Sequence, residues 1–245
     1  MKWRFVYRGL KARYRDQRQE LQALVQALKP NDIAVDVGSN KGSYLWSLSR
    51  AVPSGLVVAF EPQPILAAYL KEACEVAGFS NVSIVDKGVS NKSGLFKLAI
   101  PGGGATSPGA SFEEAVRTRE ACQFVDVATT TLDEFFALEK RHIGAIKIDV
   151  EGHELSVLEG AKEILIKHRP VVVCEAEQRH LSKGKVSDIF KFLNEIGYDG
   201  QFVCSGKLHP IFEFRPEIHQ IEVGNQFWNS KQYCNNFIFT PRAIL

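Results

Sequence analysis

The sequence predicts an α/β domain in which a largely parallel sheet is covered by helices on both faces. The prediction rests on short apolar runs rich in Val and Ile that alternate with segments of helical periodicity along the chain. A chain of 245 residues, of which 45% are hydrophobic and 24% charged, can also bury one large core. We therefore expect one domain over residues 31–245, preceded by a basic helical extension at residues 1–30.

The apolar runs and the periodic segments give the expected order of elements. The predicted strands are residues 33–37, 55–60, 81–86, 145–150, 170–176, 200–206 and 235–241. The predicted helices are residues 44–52, 63–78, 154–168 and 186–196. In the second helix the expected apolar stripe contains Ile65, Leu66, Tyr69, Leu70, Ala73 and Val76. Gly78 is well placed to end that helix.

One long stretch, residues 99–124, interrupts this alternation. Three consecutive glycines and two prolines near its start disfavour a regular element there. Long insertions in compact domains tend to be lids or binding loops, so we expect this stretch to contact the substrate. The alternative is an ordinary disordered surface loop.

Charge is nearly balanced over the whole chain but is concentrated at its start. The formal net charge is +2, whereas the first 18 residues contain seven Lys or Arg and one Asp. A general polyanion binder is therefore excluded, and we expect no stable nucleic-acid complex. No apolar run has the length of a signal peptide or a membrane span, which predicts a cytoplasmic protein. The five cysteines show no CxxC spacing and are expected to be reduced thiols.

At helical spacing the basic segment has an apolar stripe and a charged face. The expected stripe contains Trp3, Val6, Tyr7, Leu10 and Tyr14, and the expected outward cations are Arg4, Arg8, Lys11, Arg15 and Arg18. We favour a solvated helix that caps the domain. The alternative is that the cations make a peripheral contact with a membrane surface, or that they bind an anionic acceptor such as a phosphorylated or lipid-linked saccharide.

The first predicted strand ends in an acidic residue and a glycine-containing turn, in the segment AVDVGSNKGSY at residues 34–44. In open parallel sheets ligands bind beyond the carboxyl ends of the strands, and glycine lets a ligand approach the backbone closely. Here Gly38 and Gly42 form a GxxxG spacing rather than GxGxxG, and Asp36 would repel a pyrophosphate. We infer a cationic ligand, for which S-adenosylmethionine, with its ammonium and sulfonium groups, is suitable. The alternative is a tight turn capped by Asp36.

An acidic residue also ends the second predicted strand. Glu61 follows Asp36 by 25 residues, and a carboxylate at this position can accept hydrogen bonds from both ribose hydroxyls of an adenosine ligand. Enzymes that use NAD share this acid, so it indicates adenosine without identifying the cofactor. Asp86 and Val89 follow the third strand, where an adenine edge could be bound, although a plain turn explains them equally well.

Several segments of the chain resemble the FkbM-type methyltransferases in order and spacing. They are DVGSNKGSY, AFEPQP, TTLDEF, IKIDVEGHELSVLEGA and NFIFTP, of which IKIDVEGHE is the most specific. The resemblance covers about residues 31–240. It implies the Rossmann-like class I methyltransferase fold, a mixed seven-stranded sheet with an antiparallel last strand, and methyl transfer from S-adenosylmethionine, usually to a hydroxyl oxygen.

The resemblance also implies which residues contact the cofactor. The family pattern assigns the cofactor loop to Asp36, Gly38, Asn40 and Gly42, and the ribose to Glu61. The adjacent Ser39 and Pro62 are further candidates for contact with the cofactor. Asn40 stands where the commonest methyltransferase turn has a middle glycine, which is usual within the family.

Four titratable residues crowd the end of the strand at 145–150, namely Asp149, Glu151, His153 and Glu154. Methyl transfer requires alignment of the acceptor and removal of its proton. His153 is a candidate base because imidazole titrates near neutral pH, and Asp149 and Glu151 are further catalytic candidates. Asp149 is also a candidate for binding and aligning the cofactor. The alternative for His153 is a residue at a helix start that hydrogen bonds to the backbone.

A divalent cation is a second possibility at this strand end. Asp149 could bind Mg²⁺ together with Glu175 or Glu177, and the metal would acidify a coordinated hydroxyl. The alternative is that these acids bind water or Arg179.

Four function classes follow from the sequence. The leading one is an S-adenosylmethionine-dependent O-methyltransferase that acts on a sugar, a glycan or another small molecule with a free hydroxyl. A nucleic-acid methyltransferase, an NAD-dependent oxidoreductase and a catalytically silent binding protein are the alternatives, in that order. The identity of the acceptor and the oligomeric state stay open at the level of sequence.

Overall fold

The computed structural model describes residues 2–119, 121–181, 183–224 and 226–243. Numbered along the chain, the strands are β1 (Ile33–Val37), β2 (Leu56–Phe60), β3 (Val82–Val85), β4 (Gly88–Val89), β5 (Gly94–Pro101), β6 (Cys122–Thr130), β7 (Ile143–Asp149), β8 (Val171–Glu175), β9 (Tyr198–Cys204), β10 (Lys207–Pro210) and β11 (Asn236–Pro241). The α-helices are α1 (Lys2–Lys11), α2 (Arg18–Ala27), α3 (Leu45–Ala51), α4 (Pro64–Ala77), α5 (Glu114–Arg119), α6 (Leu132–Phe135), α7 (Glu154–Glu159), α8 (Lys162–His168), α9 (Val186–Glu195) and α10 (Pro216–His219). A π-helical turn, Ala12–Asp16, connects α1 and α2.

The main sheet has eight strands in the order β10-β9-β11-β8-β7-β1-β2-β3. Strands β1, β2, β3, β7 and β8 are parallel, and β11 runs antiparallel to both of its neighbours, as the family resemblance implies. The expected count of seven strands is wrong by one, because the chain turns back after β9 and adds β10 as an antiparallel edge strand. Apolar side chains pack against both faces of this sheet, so its carboxyl edge is where polar side chains accumulate.

The stretch expected to be irregular, residues 99–124, begins and ends in strands. Its first and last residues lie in β5 and β6, which pair antiparallel with Ala99 opposite Phe124. These strands form a second, three-stranded sheet with β4. Leu98, Ile100 and Val127 form a small apolar cluster, which explains why the ends are ordered. The glycine-rich part and α5 make the connection between the two strands.

The predicted helix at 154–168 is divided into α7 and α8 at Gly160. A Cβ atom at Gly160 would lie 2.1 Å from the carbonyl oxygen of Ser90, so only a residue without a side chain fits at this position. In α4 the predicted C-terminus is confirmed, because Gly78 adopts φ +79° and donates to the carbonyls of the last turn. The predicted stripe is wrong at Ile65 and Val76, which are exposed, and Ala67 and Cys74 are buried instead.

The N-terminal helix packs on the core through a different face from the predicted one. Phe5 and Ala12 are buried, whereas Trp3, Tyr7 and Tyr14 of the expected stripe are exposed. Phe5 contacts the rings of Tyr69 and Phe79, and a Cβ atom at Gly9 would lie 2.4 Å from Trp46 Cβ. Helix α1 therefore lies tightly against α3 and α4. None of the described helices combines the length and the hydropathy needed to cross a membrane.

Candidate active site

A partly enclosed pocket lies at the carboxyl ends of β1, β2 and β7. The connection between β5 and β6 covers it with Pro108, Ala110, Ser111 and Phe112. Of the residues predicted from the sequence, the pocket is lined by Gly38, Asn40, Glu61, Pro62, Val89, Asp149 and Glu151. The structure thus brings seven predicted residues from four separate segments of the chain to one cavity.

The turn after β1 contains three residues with positive φ, namely Gly38, Asn40 and Gly42. Gly38 has φ +76°, and a Cβ atom there would lie 1.8 Å from the carbonyl oxygen of Asp149. This glycine lets the β1 and β7 ends come together at the pocket. Asn40, at φ +47°, has a buried Oδ1 atom that accepts no hydrogen bond from the described residues. This oxygen is available to a ligand.

Gly42 and Ser39 lie outside the lining of this pocket. A Cβ atom at Gly42 would lie 2.8 Å from Phe5 and 2.9 Å from Leu70, so this glycine makes room for α1 rather than for a ligand. Ser39 Oγ donates to the carbonyl oxygen of Asp36, and Ser39 lines an adjacent cavity described below.

Glu61 forms the acidic wall of the pocket. Its Oε2 atom accepts a hydrogen bond from Asn40 N at 2.7 Å, and its Oε1 atom accepts one from Gln63 N at 2.9 Å. Burial raises the pKa of Glu61, although these two N–H groups and the charge of Lys147 act in the opposite direction. Each carboxylate oxygen retains acceptor capacity, which is what two ribose hydroxyls require. The adjacent Pro62 lines the pocket beside it.

Asp36 is neutralised within the protein by a residue that the sequence reasoning missed. Lys147, inside the otherwise apolar β7, places Nζ 3.1 Å from Asp36 Oδ1 and donates to the carbonyl oxygen of Gly38 at 2.7 Å. Burial acts against the charge of Lys147, but attraction from Asp36 and Asp149 keeps its pKa above the ordinary value. The signal in the sequence was a lysine within the apolar run AIKIDV. Asp36 thus faces Lys147, and its expected role toward a cationic ligand stays a prediction.

Asp149 has the chemistry of a weak base poised near neutral pH. Burial raises its pKa to about 6, with Lys147 opposing the shift and neighbouring Glu151 adding to it. Its side chain keeps 29% of its surface exposed and lines two adjoining cavities. Burial also raises the pKa of Glu175, which is the β8 neighbour of Asp149 in the sheet.

The predicted metal set does not fit a divalent cation. Asn235 Nδ2 donates to Glu175 at 2.7 Å and to Glu177 at 3.2 Å, and Glu177 also accepts from Arg179 and Tyr233. Burial alone would raise the pKa of Glu177, but the hydrogen bonds from Arg179 and Tyr233 lower it. Among the described residues no three His, Cys, Asp or Glu side chains are arranged to bind a metal. We therefore assign no step to Mg²⁺ at Asp149, Glu175 and Glu177.

His153 lies behind the pocket rather than on its lining. Its Nε2 atom is 2.9 Å from Ser90 Oγ and its Nδ1 atom is 2.7 Å from Glu113 Oε1. The buried ring also contacts the edge of Phe112. Both nitrogens are thus engaged by side chains that connect β4 to the cover of the pocket. This arrangement differs from the general base considered for His153, and the contacts are to side chains rather than to the backbone.

Glu151 and Glu154 belong to the same turn but have different surroundings. Glu151, at φ +54°, lines the pocket, and its carboxylate pairs with His180 Nδ1 at 2.8 Å. Glu154 is buried and accepts hydrogen bonds from Gly152 N and Val150 N. Burial raises the pKa of Glu154 to about 8. Glu154 therefore supports the turn in its protonated form.

The residues after β3 divide between the pocket and the surface. Val89 is buried and lines the pocket, whereas Asp86 is exposed and pairs with Lys71 at 3.3 Å. A backbone N–H and the hydrogen bond and charge of Lys71 lower the pKa of Asp86. Asp86 lies outside the lining of the pocket, and its expected role at an adenine edge stays a prediction.

Besides the contact of Glu113 with His153, hydrogen bonds attach the cover of the pocket at Gln63 and at Glu151. Gln63 donates through Nε2 to the carbonyl oxygen of Ser107 and accepts through Oε1 from Ser107 N. Ser111 Oγ donates to the carbonyl oxygen of Glu151 at 2.7 Å. Gln63 and Glu151 both line the pocket, so the cover is attached to residues of the pocket itself.

A second cavity adjoins the pocket on the other side of Gly38, Asn40 and Asp149. Tyr44, Lys147 and the N-terminal residues Arg8 and Gln17 also line it. Asp149 therefore lies between two cavities. The first is the pocket beside Glu61, and the second is lined by Arg8 and Gln17 of the N-terminal segment.

The order of the main sheet, its antiparallel last strand and a pocket between an acidic β2 end and the β1 turn define a Rossmann-like domain of the class I methyltransferase fold. The profile of the methyltransferase FkbM domain family matches residues 36–199. The chain belongs to this family.

Individual relatives agree with this assignment. The chain is 30% identical over 162 residues to methyltransferase sdnD of Sordaria araneosa, a match that covers 56% of this chain and 62% of that protein. The crystal structure of methyltransferase FkbM from Methylobacillus flagellatus has a TM-score of 0.52 and 14% identity, over 96% of this chain and 53% of the other. An S-adenosylmethionine-dependent O-methyltransferase from Thermotoga maritima has a TM-score of 0.50 and 15% identity, over 95% and 66%. The chain thus spans less than two thirds of the length of each of these relatives.

Proposed function

We propose that this protein transfers a methyl group from S-adenosylmethionine to a hydroxyl oxygen of a sugar, a glycan or another small molecule. Membership of the FkbM methyltransferase family supports the reaction type. The single observation that carries the choice of a hydroxyl acceptor is Asp149, a carboxylate with a pKa of about 6 that borders both cavities. An alcohol needs such a base before it becomes a good nucleophile.

The first pocket is suited to the adenosyl part of the donor. Glu61 would accept hydrogen bonds from the ribose hydroxyls, because both of its oxygens are already oriented by Asn40 N and Gln63 N. The free Oδ1 atom of Asn40 and the bare backbone at Gly38 would receive the polar end of the molecule. When bound, the donor supplies an electrophilic methyl group on a good leaving group.

The second cavity would then receive the acceptor beside Asp149. The carboxylate of Asp149 would take the proton of the acceptor hydroxyl while that oxygen bonds to the methyl carbon and the carbon–sulfur bond of the donor breaks, which releases a neutral thioether. Lys147, with Nζ 3.6 Å from Asp149 Oδ2, stabilises the ionised form and keeps the pKa of Asp149 from rising further. His153 lines neither cavity and would orient the turn and the cover through Glu113.

The proposal is tested by the pH dependence of methyl transfer from labelled donor to a panel of sugars and small alcohols. For the native protein we expect kcat to rise with pH through an apparent pKa near 6, since the base must be ionised. Asp149→Asn should lower kcat by roughly 10²–10⁴-fold and remove this limb of the profile. The matched control is His153→Gln. In this variant kcat should still rise with pH through the same apparent pKa, even where the substitution lowers the stability of the protein.

Binding of the donor provides a separate readout. Calorimetry should show binding of S-adenosylmethionine or its demethylated product, and Glu61→Gln should weaken that binding while Asp149→Asn should not. Absence of binding by the native protein would refute the proposal, as would tighter binding of NAD.

A further inference from the structure

The outward face of α1 and of the turn that follows it is aromatic. Trp3, Tyr7 and Tyr14 follow at helical spacing and lie opposite the buried Phe5. Their relative exposures are 83%, 65% and 71%, so these rings lie largely in solvent. We call these three side chains the aromatic stripe. The helix already packs on the core through its other face, so the fold itself does not require a second apolar face.

Cations flank the aromatic stripe. Arg4, Lys11 and Arg15 lie along one side of it by helical spacing, and the latter two pair with Asp16 at 3.2 and 2.7 Å. The first 18 residues contain seven Lys or Arg and one Asp, while the whole chain has a formal net charge of only +2. The rest of the protein is therefore acidic overall. Positive charge is concentrated on the segment that carries the stripe.

We propose that the aromatic stripe and its flanking cations dock this protein on the surface of a membrane that contains anionic lipids. Trp and Tyr rings are favoured at the level of the lipid headgroups, where the ring meets the hydrocarbon boundary and its polar atom stays hydrated. Lys and Arg beside them are attracted to anionic headgroups. A convex helical face matches a flat bilayer, whereas a soluble anionic ligand needs a cavity that encloses it.

The same helix is in contact with the candidate active site. Arg8 Nη1 donates to the carbonyl oxygen of Lys41 at 2.9 Å, and Phe5 lies against Gly42 in the turn after β1. Arg8 also lines the second cavity, beside Asp149. If the proposed function is correct, docking through the stripe brings this cavity close to the bilayer. Acceptors presented at a membrane surface would then have the shortest route to it.

Vesicle sedimentation with the full chain tests the docking surface without donor or acceptor. We expect binding to vesicles of mixed phosphatidylcholine and phosphatidylglycerol, and binding at least about tenfold weaker to phosphatidylcholine alone. The variant W3A/Y7A/Y14A should bind the mixed vesicles at least about tenfold more weakly than the native protein. The matched control is L95A/L138A/F212A, which removes three other exposed apolar side chains and should leave binding unchanged.

Several outcomes would overturn the proposal. One is equal vesicle binding by W3A/Y7A/Y14A and the native protein, with circular dichroism confirming that both are folded. Another is native binding that does not depend on phosphatidylglycerol or on salt. A third is concentration-dependent self-association that the triple variant loses, seen by ultracentrifugation without vesicles, since it would make a second copy the partner. If the native protein binds vesicles but transfers no methyl group, only the proposed function is refuted.

Discussion

Lys147 determines the charge at the base of the candidate site. The sequence pattern shows Asp36 at the end of β1 but not the cation opposite it, because β1 and β7 are separated by more than a hundred residues and are brought together only by the sheet register. Because Lys147 lies beside Asp36, the charge of Asp36 is no longer evidence against a pyrophosphate ligand. The evidence that favours a methyl donor over a dinucleotide as the ligand is membership of the FkbM family.

The Asp36–Lys147 ion pair should affect the free energy of unfolding differently when one partner or both partners are replaced. Lys147→Met should lower the free energy of unfolding by about 3–5 kcal/mol, because it leaves the carboxylate of Asp36 buried without a counter-charge. The double variant Asp36→Asn/Lys147→Met should recover most of that loss, since neither charge remains. Urea unfolding measures both, with the exposed Lys191→Met as control. Equal stability of the single and double variants would show that the pair is not the source of the loss.

Glu154 predicts how stability depends on pH. Its pKa is raised by burial to about 8 in the folded protein, from 4.5 in the unfolded chain, so folding takes up a proton between these values. Its contribution is complete below pH 4.5 and is lost as pH rises toward 8, at about 1.4 kcal/mol per pH unit. Glu154→Gln removes this dependence while its amide oxygen keeps the hydrogen bonds to the turn. The variant should therefore gain stability relative to the native protein as pH rises.

Thermal and urea unfolding at several pH values from about 5 to about 9 would measure the difference in stability between Glu154→Gln and the native protein. The surface variant Glu163→Gln is the control, because its carboxyl group is exposed. A constant difference between Glu154→Gln and the native protein across this range would contradict a protonated Glu154.

At the scale of elements, the turn after β1 depends on close approach as well as on conformation. Gly38 and Gly78 have nearly the same φ, +76° and +79°, but only Gly38 has an atom within contact distance of the missing Cβ. Gly78→Ala should cost about 1 kcal/mol, from backbone strain alone. Gly38→Ala should cost several times more and should abolish donor binding, because the Cβ atom would displace the carbonyl of Asp149. Calorimetry and urea unfolding of both variants test this, and similar losses would contradict it.

The elements show what a sequence can and cannot specify. Strand cores and the end of α4 at Gly78 follow from local composition and conformation, and they are confirmed. The division of α7 from α8 depends on the contact between Gly160 and the carbonyl of Ser90, which no local periodicity contains. The partners of His153 come likewise from distant segments, at Ser90 and Glu113. Such contacts are fixed by the topology.

The N-terminal helix illustrates a different limit of sequence reasoning. Helical periodicity predicts one apolar stripe on α1, with Trp3, Val6, Tyr7, Leu10 and Tyr14, whereas the buried face is centred on Phe5. Which face is buried depends on the surface that α3 and α4 offer, and the small Gly9 fits against Trp46 there. Small residues on the Phe5 face allow this close approach, which hydrophobic periodicity does not take into account.

At the scale of the whole molecule, α1 shares a core with the sheet. Phe5 belongs to the same buried cluster as Leu48 of α3 and Leu70 of α4, on one face of the main sheet. The family profile begins at residue 36, beyond this helix. The predicted division into an extension at 1–30 and a domain at 31–245 stays a prediction, and the packing of Phe5 argues that the two parts unfold together.

Cooperative unfolding can be tested with two substitutions on opposite faces of the helix. Phe5→Ala should lower the global free energy of unfolding by about 3–5 kcal/mol, because it leaves a cavity against Leu70 and Gly42. Tyr7→Ala, on the exposed face, should change it by less than about 0.5 kcal/mol. Hydrogen exchange followed along the chain distinguishes the two views of α1. If the helix were a separable extension, Phe5→Ala would speed exchange only within residues 2–27, whereas a shared core requires faster exchange in β1 and α4 as well.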